Sequence, residues 1–282
     1  MLSLVKRNVR LYFGDLTSVF LSLLGALIAI GLILLFLKTS IVNSIAGGPI
    51  TPDEAAHVTD AWLVASASVI AGATTGLAGL AQFVRDKESR RWRDFLVAPL
   101  ARWAITSGYL LAAVIVSAIM TTIVYTIGVT YCLINSVPLS FSTIAASWGL
   151  IMLSALGFTG LMGFVVSLLN TEAAFTGLSV IVGVTFGFLS ETYVSRSVLS
   201  DGAARVLSWL PFAQSASLVR GSFTSEAVAV FPELARQTIV DSLALTPGSL
   251  GLTGGAIACV LIAMAIVFSV LAWRTMARAV SR

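Results

Sequence analysis

Residues 85–102, RDKESRRWRDFLVAPLAR, place nine charged side chains in eighteen positions of a chain that is only 11% charged overall. Apolar runs of bilayer-crossing length flank the block on both sides. A charged stretch that also holds Trp92, Phe95 and Leu96 has no stable place in hydrocarbon, so it must project into water between two spans. One membrane hairpin with a charged tip thus organises the reading of everything around it.

The rest of the composition agrees. Hydrophobic residues make up 57% of the 282 positions, and the mean hydropathy is +0.98. A water-soluble protein of this size could not bury so many uninterrupted apolar runs of about twenty residues. Strand-like alternation is missing, which argues against an outer-membrane barrel. The fold class is therefore an all-α integral membrane protein. Cys132 and Cys259 both fall in apolar runs and read as small packing residues rather than a disulfide. The N-terminus is basic, but its apolar run is too long for a signal peptide and no cleavage site follows convincingly. An uncleaved first span is expected.

Six transmembrane helices account for the pattern: 18–37, 61–84, 103–133, 143–169, 173–189 and 249–273. With an even number of spans both termini share a side. The segments 1–17, 85–102, 170–172 and 274–282 then hold twelve basic and five acidic residues, against five basic and eight acidic on the other side. That asymmetry follows the positive-inside rule and predicts both termini in the cytoplasm of a cell whose inner membrane holds the protein.

Two segments depart from a plain bundle. In 1–17, Leu2, Val5, Val9, Tyr12 and Phe13 recur at helical spacing while Lys6, Arg7 and Arg10 share another face. This predicts an N-terminal interfacial helix with its basic face toward anionic headgroups; an unstructured basic flank is the alternative. Residues 190–248 are too apolar for a free loop and too interrupted for a span. Two short helices are expected there, Ser208–Val219 and Ala227–Leu245, broken by Pro211, Gly221 and Pro232 and either re-entrant or lying on the outer surface.

Enzymatic chemistry finds little support. There is no GxxxxGK[ST] phosphate loop, and the single histidine, His57, stands in an expected outward loop beside Asp53 and Glu54 with no second ligand nearby. GFTGLMG at 157–163 reads as glycines that let helices approach. No span carries a charge at its centre, which argues against a proton- or sodium-coupled transporter. Gly72 with Gly76 and Gly183 with Gly187 form small-residue steps suited to packing within the bundle or to a dimer seam. Ser66, Ser68, Thr74 and Thr75 in the second span, and Thr176, Ser179 and Thr185 in the fifth, either bond their own helices or line a path for an amphipathic solute. If anything is moved, its energy comes from outside this chain.

The 85–102 block is the natural place for that energy to enter. As a helix, Ser89–Leu96 sets Arg91, Trp92 and Phe95 on one side, a composition suited to protein docking; a purely topogenic loop is the alternative.

The whole chain at this point resembles the membrane subunit of an ABC-2 type exporter. The resemblance rests on the interfacial helix, the six spans, FVRDKESRRWRDFLVAPLAR before the third span and SWLPFAQSASLVRG before the last. The chain differs from many members in having Ser89-Arg90-Arg91-Trp92 after Glu88, where they carry a Gly-Thr pair. The resemblance implies one ABC-2 transmembrane domain over 1–282 and a coupling segment at 85–102. It further implies that Glu88, Arg90, Arg91, Trp92, Arg93, Asp94 and Phe95 face a separate cytoplasmic ATPase that binds ATP and Mg, so this chain needs no cofactor. A second permease, identical or paralogous, completes the transporter; no nucleic acid is involved. The N-terminus, LVKRNVRLYFGD, is more similar to drug, antibiotic or bacteriocin exporters than to polysaccharide exporters. A lipid-linked glycan exporter and a non-transporting scaffold or sensor are the competing readings.

Overall fold

The computed structural model describes residues 1–17, 19–20, 31, 35, 38–46, 50–91, 102–193, 200–246 and 253–280, and these are helical with no extended strand. In chain order the helices are α1 (Leu2–Gly14), α2 (Lys38–Ile45), α3 (Pro52–Gly79), α4 (Ala81–Glu88), α5 (Arg102–Ile134) and α6 (Phe141–Ser167). They continue with α7 (Glu172–Leu189), α8 (Asp201–Ser208), α9 (Pro211–Phe223), α10 (Ser225–Ala229), α11 (Glu233–Ser242) and α12 (Gly254–Val280). Five of the described segments are long and apolar enough to cross a bilayer: Pro52–Glu88, which joins α3 to α4, then α5, α6, α7 and α12. The first expected span, 18–37, lies almost wholly outside the described residues.

Helix α3 starts earlier than the hydropathy suggests. Thr51 caps it, Pro52 occupies the first turn, and Glu54 closes a capping box by accepting the Thr51 N–H at 2.9 Å. Asp53, Glu54 and His57 therefore belong to a helix and not to the expected loop, because local capping chemistry overrides their polarity.

The central span is α3, with 72% of its most apolar window buried, against 22% in α7 and 28% in α12. Small residues make that centrality possible. A side chain at Gly72 would meet Ala155 at 2.9 Å, one at Gly76 would fall on Thr159, and one at Gly79 would meet the Ala113 backbone at 2.8 Å. The Ser117 hydroxyl of α5 donates to the Gly72 carbonyl at 2.9 Å, an approach only a bare glycine backbone permits. Gly157, Gly160 and Gly163 bring α6 against Met264, Ser269 and Ala272 of α12 in the same manner. The outer faces of α7 and α12 stay apolar and uncovered, with Val180, Ile181, Ile266 and Val267 each more than half exposed. Inside a membrane such a face meets acyl chains or another helix.

Helix α1 lies against α5, with Leu4, Val5 and Asn8 buried and Leu4 packed on Gly108. This corrects the expected facial division. Arg7 turns inward rather than joining Lys6 and Arg10 on a lipid-facing basic side, because a buried carboxylate, described below, waits for it.

The end of the bundle opposite α1 is capped by α8–α11. Where two helices are expected, the described residues hold four. Pro211 opens α9 instead of breaking a helix, since its missing N–H falls in the first turn. Gly221 sits inside α9, where the Leu245 carbonyl occupies the place of a side chain. Ile41, Ile45, Val58, Trp62, Val228, Phe231, Ile239 and Leu243 form a core here, separate from the main one between the spans.

Glu226 fastens this cap to the start of α6. Its carboxylate accepts the Ser140 N–H at 2.7 Å and the hydroxyls of Ser140 and Thr143. The Ser140 and Thr143 hydroxyls favour the charged form and hold the Glu226 pKa below the ordinary Glu value of 4.5. The stabilisation is complete above about pH 4.5 and disappears as pH falls through the lowered value. The thermal midpoint of the purified protein should therefore drop more steeply on acidification below that pH than in Glu226→Gln, whose profile should be the flatter. Parallel profiles would refute the tether.

Candidate functional site

The charged block leaves the membrane through α4, and four successive side chains of this short helix are anchored to other elements. Asp86 is the most buried of them, at 1% exposure. It accepts from Arg7 of α1 at 2.8 and 3.2 Å, from Gln82 one turn back at 2.7 Å and from the Tyr109 hydroxyl of α5 at 2.5 Å. The hydrogen bond and charge of Asp86 raise the Arg7 pKa against the desolvation that opposes it. Arg85 donates to Glu172 at 2.7 Å, at the first turn of α7. Lys87 donates to the Ser167 and Leu169 carbonyls at 3.1 and 2.6 Å, neutralising the end of α6 where free carbonyls collect. Glu88 accepts the Glu172 N–H at 2.7 Å, the complementary arrangement at a helix start. Force applied beyond Glu88 would thus reach α1, α5, α6 and α7 without passing through lipid.

Glu88, Arg90 and Arg91 are exposed at this junction. Helix α4 stops at Glu88, Ser89 caps it, and Arg90 takes a left-handed φ of 57°. The expected helix over Ser89–Leu96 therefore does not begin at Ser89: the serine hydroxyl bonds back to the Arg85 carbonyl and turns the chain. Trp92, Arg93, Asp94 and Phe95 lie outside the described residues.

A cavity of about 520 Å³ opens between α1, α3 and α7. Of the hydroxyl residues expected along a path, Thr74, Thr75 and Ser179 line it. All three also donate to carbonyls of their own helices, as do Ser66, Ser68 and Thr176. Thr176 is exposed and Thr185 half-buried on α7. Gly183 lines the cavity with open space beside its Cα, while Gly187 is covered by the Tyr193 ring. Gly72 and Gly76 face α6 of the same chain.

The far end carries two further charged centres, of which the sequence offered Arg220 only as the arginine of SWLPFAQSASLVRG and Lys38 with Asp60 not at all. The Arg220 guanidinium is fully buried and donates to Ser66 Oγ at 2.7 Å, the Ser190 carbonyl at 2.6 Å and Thr192 Oγ1 at 2.7 Å, with its carbon 4.9 Å from the Trp62 ring centre. Trp62 in turn donates its indole N–H to the Leu243 carbonyl at 2.8 Å. Lys38 of α2 pairs with buried Asp60 of α3 at 2.7 Å, beside Tyr131 of α5. Burial opposes the Lys38 charge, but Asp60 outweighs it and raises the lysine pKa.

A signal for Asp86 was present in the sequence. Gly72, Gly76, Gly79, Phe83 and Asp86 recur at spacings of four and three, which continues the packed face of α3 into the charged block. Arg220 has no such local signal, since its partners lie 154, 30 and 28 residues away.

No curated protein matches the chain significantly. A family model described as ABC-2 type transporter matches residues 1–224, from α1 through the end of α9. That match covers well over half of the chain and agrees with the five described spans of bilayer length, so the chain belongs to the ABC-2 type transporter family and is a membrane transport subunit.

Proposed function

We propose that this permease serves an ATP-driven exporter of amphipathic molecules such as a drug, antibiotic or peptide, powered by a separate ATPase that docks on residues 85–102. The anchoring of α4 to four other elements carries the reading, because a docking segment transmits work only if its base is rigidly joined to the helices that must move. The ATPase holds ATP and Mg; this chain supplies the surface, with Glu88, Arg90 and Arg91 at its edge and Trp92 to Phe95 as the contact. Both termini and the docking segment face the cytoplasm of the cell membrane, in keeping with the basic excess on that side. Two permeases enclose the path, meeting through the uncovered apolar faces of α7.

The amphipathic cargo follows from the cavity: hydroxyls of Thr74, Thr75 and Ser179 alternate with apolar groups such as Ile70 and Phe175. No charged centre interrupts this lining between its ends.

The test is the pair Trp92→Ala and Phe95→Ala in one chain, assayed with the ATPase that co-purifies with the unaltered permease. Membrane insertion should be normal, with substrate-stimulated ATP hydrolysis and efflux both reduced more than tenfold. Undiminished efflux would remove the docking assignment. Failure of any ATPase to co-purify with the unaltered permease would remove the export reading itself.

A further inference from the structure

Asn8 stands out among the polar residues around the cavity. It is 3% exposed, lines the cavity from α1, and its Oδ1 accepts from Arg7 at 3.0 Å, which fixes the orientation of the amide. Its Nδ2 finds no acceptor among the described residues. Buried amide donors are rarely left in this condition, and a built, roomy cavity beside one is where a bound molecule completes the bond. Five other polar groups of the lining are already committed. Gln82 donates to Asp86, Arg85 to Glu172, and Thr74, Thr75 and Ser179 to backbone carbonyls.

We infer that the cavity between α1, α3 and α7 binds an uncharged amphiphile whose acceptor oxygen is held by the Asn8 amide, so that the N-terminal helix reads the polar group of the ligand. This rests on the export reading above and adds the chemistry of the cargo. The volume of about 520 Å³ lies within the range of small-molecule sites. The lining extends along α3 and α4 from Ile70 to Arg85, a length of roughly 22 Å at ~1.5 Å per residue. An elongated molecule therefore fits with its polar group at Asn8 and its apolar body against Ile70, Phe175 and Gly183. The charges at the lining, Asp15 and Arg85, are of opposite sign and Arg85 is paired with Glu172, so no net positive field selects an anion. An ester, amide or ketone carbonyl meets the requirement. Such a carbonyl belongs equally to a transported solute and to a bilayer glycerolipid.

The probe is 4-hexylbenzophenone, a neutral amphiphile whose carbonyl is both the acceptor and the photoreactive group, applied to the intact permease in phospholipid nanodiscs. Irradiation and peptide mapping should show saturable labelling of 1–17, 70–85 and 175–183. Asn8→Leu removes the donor; Asn8→Asp also removes it while keeping the acceptor that Arg7 needs, and carries the test if the leucine variant fails to fold. Each should raise the half-saturating probe concentration about fivefold, the effect of one lost neutral hydrogen bond. Saturation of both folded variants at the native concentration would overturn the role of Asn8 and leave the export reading intact. Absence of cavity labelling in the native protein would overturn the site, while the docking test decides export independently. Repeating the native titration in ether-linked phospholipid, which has no carbonyl, separates the sources. Tighter labelling there means that a bilayer ester normally fills the seat, and unchanged labelling assigns it to the solute.

Discussion

Arg220→Ala is expected to lower the thermal midpoint of the purified permease more than any other single substitution in the cap. The change strips three hydrogen bonds from Ser66, the Ser190 carbonyl and Thr192, and removes the cation lying over Trp62, at a position with no access to water. Breaking a buried charged network of this kind costs about 3–5 kcal/mol. Arg220→Lys should recover only part of the loss, since an ammonium cannot serve three acceptors held in the plane of a guanidinium. The measurement is unfolding in detergent followed by tryptophan fluorescence, together with limited proteolysis across 193–245, which should be accelerated in the alanine variant. A native-like midpoint for Arg220→Ala would show that these contacts do not hold the cap on α3.

Asp86→Ala is expected to have a comparable effect at the opposite end, with a different signature. It leaves Arg7, Gln82 and Tyr109 as donors without their common acceptor at a site the solvent barely reaches. Arg7 is partly exposed and can turn to water, so the expected cost is about 3 kcal/mol, the lower part of the range for a broken buried pair. Arg7→Met should be nearly as damaging, because it strands the carboxylate. The double variant should be no worse than either single one, giving a coupling energy of about 3 kcal/mol. Efflux should fall in all three, even where the protein is inserted and monodisperse, because α1 is then no longer fastened to α4, the base of the proposed docking segment. Additive losses in the double variant would mean that Arg7 and Asp86 act separately.

These two experiments address opposite ends of one helix. α3 carries Ser66 and Trp62 near its start and continues through Gly72, Gly76 and Gly79 into α4 and Asp86. Its glycines hold it close to α5 and α6 between Gly72 and Gly79. A displacement of α4 along this axis would therefore be felt at the Arg220 cluster, provided the helix moves as a rigid body.

Much of this architecture was legible in the chain alone. Apolar runs of bilayer length between charged segments dictate helices, because an unpaired backbone cannot exist in lipid, and the described spans match three of the expected ones closely at α5, α6 and α7, while α12 runs several residues past the expected end of the last span. The charged block also declared itself, since so many ionised groups in eighteen residues can stand only in water. Local capping at Thr51 and Pro52 was equally present in the sequence, yet it was outweighed by the polarity of Asp53, Glu54 and His57.

Tertiary structure alone decided which charges are buried and what they do. Asp86 looked like one more member of a solvated block, and Arg7 like one more headgroup contact. Whether an ionised side chain faces water or a partner depends on what other helices bring to it. Asp86 meets Arg7 from 79 residues away, and Arg220 meets Ser66 from 154. Hydropathy and periodicity are properties of one helix at a time, and they determined that this protein crosses a membrane and where. The pairing of charges between helices is a property of packing, and it decided where the bundle is fastened.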